Sequence, residues 1–310
     1  MKNVLITAIG SFSADIAIKT CKEELGYRVI GCDIYPMEWI AQSLDVDVFY
    51  QAPYAVDEEK YMDFITKLIK EEEINFILPS TDVEVDVLTK YRDLVKNAGA
   101  TLCISGAKTI ERCRNKMEFA EFVKDICTVI PTQYVKDVKE PELPCIVKPV
   151  NGRSSIGLKK ITRLAEYALA DPDSLVQPFI EGSIITCDVV RHPKSGYTEV
   201  LARNELLRTP NGAGTSVKII KDWELEETCR DLAEKLQIRG CVCFEFIKDA
   251  EGKYHILECN PRLSGGVAFS VLAGYNFVKA HFECFDADDI EVKSDIPEMY
   301  IARKYQEYMT

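Results

Sequence analysis

Between Asn3 and Ser105 short apolar runs alternate with segments of helical spacing, and no other feature of the chain restricts its fold so sharply. The runs are "NVLITA" from Asn3, "YRVIGCD" from Tyr27, "INFILPS" from Ile74 and "ATLCIS" from Ala100. Between them, Ala14 to Leu25, Glu58 to Glu72 and Asp82 to Asn97 carry apolar residues at helical intervals. A strand that is apolar throughout is buried on both faces, and a helix between two such strands is the usual crossover of a parallel sheet. The first hundred residues therefore predict an α/β layer, with a parallel sheet covered on both sides.

This pattern looks like a Rossmann-type half. The turn after the first strand, "AIGSFSADIAI", has Gly10 but lacks the second and third glycines that let a backbone approach a pyrophosphate. Asp33 stands where a ribose-binding acid would sit, yet with that loop a nicotinamide dinucleotide is disfavoured. The helix start at Ser11 to Ala14 could still hold an anion. "PSTDVEV", Pro79 to Val85, falls at the C-terminal end of a strand, the edge where open α/β sheets place ligands. Ser80, Thr81, Asp82 and Glu84 could touch a substrate there. A helix N-cap at Thr81 or Asp82, with acids in the first turn, is the favoured reading.

From Gly106 the pattern changes. Two short helical stretches, "AKTIERCRN" and "KMEFAEFVKD", precede "CIVKPVNGRSSIGLKKI", which reads as strand, glycine-rich loop and strand. "SLVQPFI", "IITCDVVRH" and "YTEVLARNELL" are further strands, and a helix is predicted from Trp223 to Leu236. "GCVCFEFIKD" and "KYHILECNPR" follow, joined by the turn Ala250 to Gly252. This half is α+β and largely antiparallel.

The hairpin sets Glu245 roughly opposite Glu258, with Asn260 one step further on the same face. Two carboxylates and an amide oxygen between apolar flanks would repel one another unless a cation joins them. All-oxygen ligands suit Mg2+ or Mn2+, which substrate phosphates often complete. A solvated polar face is the weaker alternative. In the loop, Lys148 ends a strand, and Gly152 and Gly157 bracket Arg153, Ser154 and Ser155. Loop N–H groups and hydroxyls of this kind can close over phosphate oxygens, although the GK[ST] of a P-loop is missing.

Composition removes other functions. A net charge of −12 opposes general binding to nucleic acid. No apolar run approaches the roughly 20 residues of a membrane span. The short first run is read as a strand and not a signal segment, so a cytoplasmic protein is expected. The 12 cysteines lie mostly in apolar runs and read as core residues. His192, His255 and His281 have no paired spacing that would suggest a metal site.

Taken in order, Lys116 in "RNKMEFAEF", "VKPVNGRSSIG", the hinge "VQPFIEG" and "FEFIKDAEGKYHILECNPRLSGG" resemble the ATP-grasp fold of carboxylate–amine ligases. The nearest flavour is that of short relatives of the carbamoyl phosphate synthetase large subunit. The first hundred residues resemble the pre-ATP-grasp domain, and "MYIARKYQEYM" the closing segment. The resemblance implies a Rossmann-like unit over 1–105, a central lobe with the lid loop over 106–182 and a C-terminal lobe with the metal site over 183–310. It implies that Lys116 and Lys148 contact ATP phosphates, with the loop Gly152 to Gly157 folding over them. Gln177 would face the adenine amine, with backbone groups of Phe179 and Ile180 at its edge. Glu245, Glu258 and Asn260 would hold two magnesium ions, and Arg262 would stabilise the transferring phosphoryl group. Where relatives carry a ribose-binding acid this chain has Ile184, which leaves Glu181 or Asp188 as substitutes. Arg203, with Arg208 as its rival, could orient a substrate carboxylate, or either could be a solvated strand edge.

The function this implies is ATP-dependent joining of a small-molecule carboxylate to an amine through an acyl phosphate, in a family often dimeric. Carbamoyl phosphate chemistry on bicarbonate and ammonia is an alternative, weakened because only one such unit is present. A nucleotide-binding subunit without turnover is the remaining one.

Overall fold

The computed structural model describes residues 1–152, 156–210 and 212–310. Arg153, Ser154 and Ser155, expected in the lid, lie outside the described residues. The N-terminal unit holds β1 (Asn3–Thr7), α1 (Ala14–Glu23), β2 (Arg28–Asp33), β3 (Val48–Gln51), α2 (Glu58–Glu71), β4 (Phe76–Leu78), α3 (Asp82–Lys90), α4 (Arg92–Ala98) and β5 (Thr101–Leu102). Its strands run parallel in the order β3-β2-β1-β4-β5. The apolar run of β1 explains its central place, with Val4, Leu5 and Ile6 fully buried under helices on both faces. The helix expected from Asp82 to Asn97 is broken at Tyr91, whose hydroxyl donates to Glu58, so α3 and α4 pack separately.

The chain continues through α5 (Ala107–Arg114), α6 (Lys116–Val123), β6 (Thr128–Val129), β7 (Gln133–Tyr134), β8 (Cys145–Lys148), β9 (Lys159–Ile161), α7 (Leu164–Tyr167) and β10 (Leu175–Pro178). Then come β11 (Gly182–Arg191), β12 (Thr198–Arg208), β13 (Gly214–Ile220), α8 (Trp223–Lys235), β14 (Gly240–Asp249), β15 (Tyr254–Asn260), α9 (Val267–Ala273), α10 (Phe277–Asp286) and β16 (Met299–Ala302). Two sheets result. A small one is ordered β7-β10-β8-β9, and a larger one β16-β13-β12-β11-β14-β15-β6. Gly182, at the hinge into β11, is required by close approach, because a Cβ there would lie 2.3 Å from the Lys248 carbonyl oxygen.

The segment expected as one central lobe, 106–182, is divided. Cys113 and Phe119 of α5 and α6 share a core with Val189 and Phe244 of the larger sheet, and β6 joins that sheet's edge beside β15. Only 133–178 forms the small sheet, with Val147, Ile161 and Val176 in a core of its own. The apolar side chains of α5 and α6, Cys113, Phe119 and Val123, are buried in that larger core and not in the small one. The N-terminal unit is likewise fused to the C-terminal one, since Val4, Ile6 and Ala17 share a core with Phe277 and Phe282 of α10. Among the described residues no helix is long and apolar enough to cross a membrane. Every cysteine except the half-buried Cys127 is buried, and burial pushes the thiols of Cys187, Cys241 and Cys243 well up, which leaves them unreactive.

Candidate active site

A cleft of about 750 Å³ runs where the small sheet, the larger sheet and the strand ends of the N-terminal unit face one another. One wall is the β14–β15 hairpin. Its turn closes through the Asp249 N–H to the Lys253 carbonyl at 3.0 Å, and this fixes the register. From the turn that register runs Lys248–Tyr254, Ile247–His255 and Phe246–Ile256; a bulge between Phe246 and Glu245 then shifts it by one, so that Glu245 pairs with Glu258 and Cys243 with Asn260. Asn260 Nδ2 lies 3.3 Å from one carboxylate oxygen of each glutamate. Arg208 reaches Glu245 at 3.1 Å, and Lys116 reaches Glu258 at 3.2 Å. Burial raises the pKa of Glu245, and the charge of Glu258 raises it further.

Among the described residues no three histidine, cysteine, aspartate or glutamate side chains gather into a metal cluster. The donor set here is two carboxylates and an amide, too few for an all-protein cage. It fits a hard divalent cation that completes its shell with phosphate oxygens and water. Turning the Asn260 amide over would present its oxygen beside the two carboxylates.

Opposite the hairpin, β8 delivers Lys148, which is 6% exposed. Among the described residues no carboxylate lies within 4.0 Å of its ammonium, so its charge is left for an anion in the cleft. Burial pulls its pKa down to about 8, with Lys116 adding to the effect and Glu258 opposing it. Lys116, at the start of α6, also donates to the Gly152 carbonyl at 2.8 Å, tying the base of the expected lid to the acid pair. Gly157, at the lid's other end, has φ +78°, a conformation that favours glycine.

The far end of the cleft carries Gln177, Phe179 and Ile180. Gln177 is held by its Nε2 to the Thr132 hydroxyl at 2.7 Å, which leaves its carbonyl oxygen for an outside donor. The Phe179 N–H donates to the Pro144 carbonyl at 3.1 Å, so this residue has only its carbonyl to offer a base edge. Ile184 lines the cleft where a ribose acid was sought. Asp188 is ruled out as a substitute, because it is fully buried and binds Arg203 and Ser270, both at 2.6 Å.

Arg203 is not a solvated strand edge. It is 1% exposed and holds Asp188 at 2.6 Å and Glu205 at 3.0 Å, with Ser264 at 3.0 Å. Gly266 admits it, since a Cβ there would lie 2.6 Å from Arg203 Nη2. Arg208 sits nearer the acid pair. Thr81 and Glu84 form a reciprocal capping box on α3, as the cap reading has it, and Asp33 accepts from the Gly10 N–H at 2.9 Å in a local loop contact. Asp82 does something the sequence reading missed. Both of its oxygens, at 3.1 Å each, take N–H groups of Arg262. The signal was present: Glu84 alone completes the cap box, which leaves the Asp82 carboxylate for another partner.

Sequence and structure comparisons bear on this arrangement. Residues 170–307 match the family described as "ATP-grasp in the biosynthetic pathway with Ter operon", and residues 4–103 match a PylC-like N-terminal domain. The chain belongs to the ATP-grasp superfamily. A 3-methyl-D-ornithine–L-lysine ligase of Methanosarcina mazei is 23% identical over 189 residues, 60% of this ATP-grasp chain and 48% of the ligase. A D-alanine–D-alanine ligase of Ralstonia pickettii is 40% identical over 68 residues, 20% of each chain. The ATP-grasp chain thus spans half or less of these curated relatives. The biotin carboxylase domain of Hydrogenobacter thermophilus 2-oxoglutarate carboxylase, solved with MgADP and bicarbonate, superposes with a TM-score of 0.79 at 20% identity. That match covers 94% of this chain and 71% of the other, and at such identity it shows the ATP-grasp fold alone.

Proposed function

We propose that the protein is an ATP-dependent ligase that joins a small-molecule carboxylate to an amine through an acyl phosphate. The observation that carries this is the convergence of Glu245, Glu258 and Asn260 on one side of the cleft with the uncompensated Lys148 ammonium on the other. The paired carboxylates, met in the free protein by Arg208 and Lys116, can take a metal cation and the buried ammonium needs an anion, and magnesium with a nucleotide triphosphate supplies both. The ligase activities named for the curated relatives support the same reading.

In this reading the adenine edge meets the Gln177 carbonyl, the Phe179 carbonyl and the backbone of Ile180. Lys148 and Lys116 hold the phosphates. Glu245, Glu258 and Asn260 would hold the magnesium, which when bound neutralises phosphate charge. The substrate carboxylate oxygen attacks the γ-phosphorus, and the bond to the β,γ-bridging oxygen breaks as ADP leaves. Lys148 and Arg262 offset the charge that develops on the transferring group, and such fixed charges are what phosphoryl transfer chiefly requires. The amine then attacks the acyl carbon, gives up a proton and expels phosphate. Arg203, locked between Asp188 and Glu205, lines the floor of the acceptor end.

The test is ADP release from Mg-ATP across amino acids and other small carboxylates, with and without amines, and mass spectrometry of the products. Release that requires a carboxylate and yields a condensed product supports the ligase. Release with bicarbonate alone moves the reading to carbamoyl phosphate chemistry. Binding of Mg-ATP with no release under any condition makes the protein a nucleotide sensor.

A further inference from the structure

Arg262 and its partner come from opposite ends of the chain, 180 residues apart. A guanidinium has five N–H donors arranged as two forks and a single outlying N–H. Asp82 occupies the side fork, taking Nε and one Nη2 N–H at 3.1 Å each. Nη1 gives a further N–H to the Leu263 carbonyl at 3.2 Å. Among the described residues no other acceptor is recorded for Arg262, so one N–H on Nη1 and one on Nη2 remain. Asp82, on the side fork, leaves the end-on fork between Nη1 and Nη2, which matches two oxygens of a phosphoryl group.

The holder is itself held. Asp82 is 5% exposed, in the first turn of α3, and it also lies 3.7 Å from Arg114 of α5. Arg114 in turn binds Asp86, one turn further along α3, at 3.0 Å. Thr81 and Glu84 fix the start of α3 through the capping box, so the Asp82 carboxylate is aimed by a helix end that does not need it as a cap. Arg262 and Asp82 both line the cleft.

We infer that Asp82 is a positioning residue of the active site: the N-terminal unit sets the direction in which Arg262 presents its end-on fork to the transferring phosphoryl group. This rests on the ligase reading and adds to it that the N-terminal unit completes the phosphoryl-transfer site. The guanidinium gains no charge from Asp82. What it gains is a fixed rotamer, and a fork misplaced by about 1 Å forfeits up to about 100-fold in rate.

The experiment uses Mg-ADP with fluoroaluminate, a planar mimic of the phosphoryl group that needs no knowledge of the carboxylate. Binding of Mg-ADP is measured by calorimetry with and without fluoroaluminate, for the wild type, Asp82→Glu, Asp82→Asn, Arg262→Lys and the Asp82→Glu/Arg262→Lys pair. Melting curves accompany each variant. Fluoroaluminate should tighten Mg-ADP binding by about 100-fold in the wild type. Asp82→Glu, which keeps the charge but displaces it by a methylene, should lose most of that gain and leave binding of Mg-ADP alone unchanged. The paired variant should lose no more than Arg262→Lys does, since both changes act through one fork. Should Asp82→Asn fail to fold, Asp82→Glu decides. Full tightening in Asp82→Glu beside its loss in Arg262→Lys would overturn the positioning role and leave the ligase reading intact. Full tightening in Arg262→Lys, or none in the wild type, removes Arg262 from the phosphoryl site and the inference with it. Failure of the wild type to bind Mg-ADP at all would overturn the ligase reading itself.

Discussion

Glu258 and Lys148 carry opposite charges that line the cleft, and each makes a separate prediction. In the free protein Glu258 repels Glu245 across the hairpin, and that repulsion contributes to the raised pKa of Glu245. Glu258→Gln should therefore melt at or above the wild-type temperature without metal. It should lose the stabilisation that Mg2+ with ADP gives the wild type, and its turnover should fall by more than about 100-fold. A variant that keeps full activity would remove the metal from this hairpin. Lys148 titrates near 8 in the free protein because burial disfavours its charge. Below that pH the ammonium is present and binds phosphate; above it the neutral amine does not. Nucleotide affinity of the free protein should thus weaken as pH rises through about 8, and Lys148→Met should bind weakly with this limb of the pH profile gone.

The hairpin and the third helix of the N-terminal unit show how short elements aim these groups. The turn at Ala250 to Gly252 sets the first pairs of the β14–β15 ladder, and the bulge beside Phe246 supplies the one-residue shift that brings Glu245 across from Glu258 instead of Leu257. Helix α3 works through its start. Thr81 accepts from the Glu84 N–H, and Glu84 accepts from the Thr81 N–H at 3.2 Å. Thr81→Ala should cost about 1 kcal/mol of stability, measured by denaturant titration. It should also weaken the fluoroaluminate response more than it weakens Mg-ADP binding, since the loosened turn carries Asp82.

The whole molecule is joined by a core that ignores the sequence boundary near residue 105. Phe282 of α10 is fully buried and stands 5.9 Å from the ring of Tyr27 and 6.0 Å from that of Phe76, both in the N-terminal unit. Phe282→Ala should cost about 3–5 kcal/mol, and it should lower the N-terminal and C-terminal transitions together in calorimetry. Two separate transitions, with only the later part of the chain shifted, would show that the shared core does not couple them.

The parallel sheet was legible because strands buried on both faces are apolar throughout, and the nearness of the two acids because a turn folds their strands together; that Glu245 meets Glu258 and not Leu257 depends on a bulge that the alternation does not announce. The sheet and the nearness of the acids both depend on spacing along a few tens of residues. The short stretch of α9, apolar but for Ser270, was not legible as helix, for it carries too little polar contrast to show an amphipathic period. Nor was the fate of Arg203, which one sequence reading left in solvent: it is enclosed by Asp188 from the neighbouring strand and by Ser264 and Ser270 from beyond the hairpin. Asp82 read as an ordinary first-turn acid; the cap box of Thr81 and Glu84 hints that its carboxylate serves elsewhere, but nothing local names an arginine 180 residues away. The sequence by itself determined most of the longer strands and helices and the nearness of the hairpin acids, because short-range periodicity follows from backbone geometry. Tertiary structure alone decided which charges are paired and which, like Lys148, are left for a ligand, because pairing depends on where distant segments meet once their apolar faces are buried.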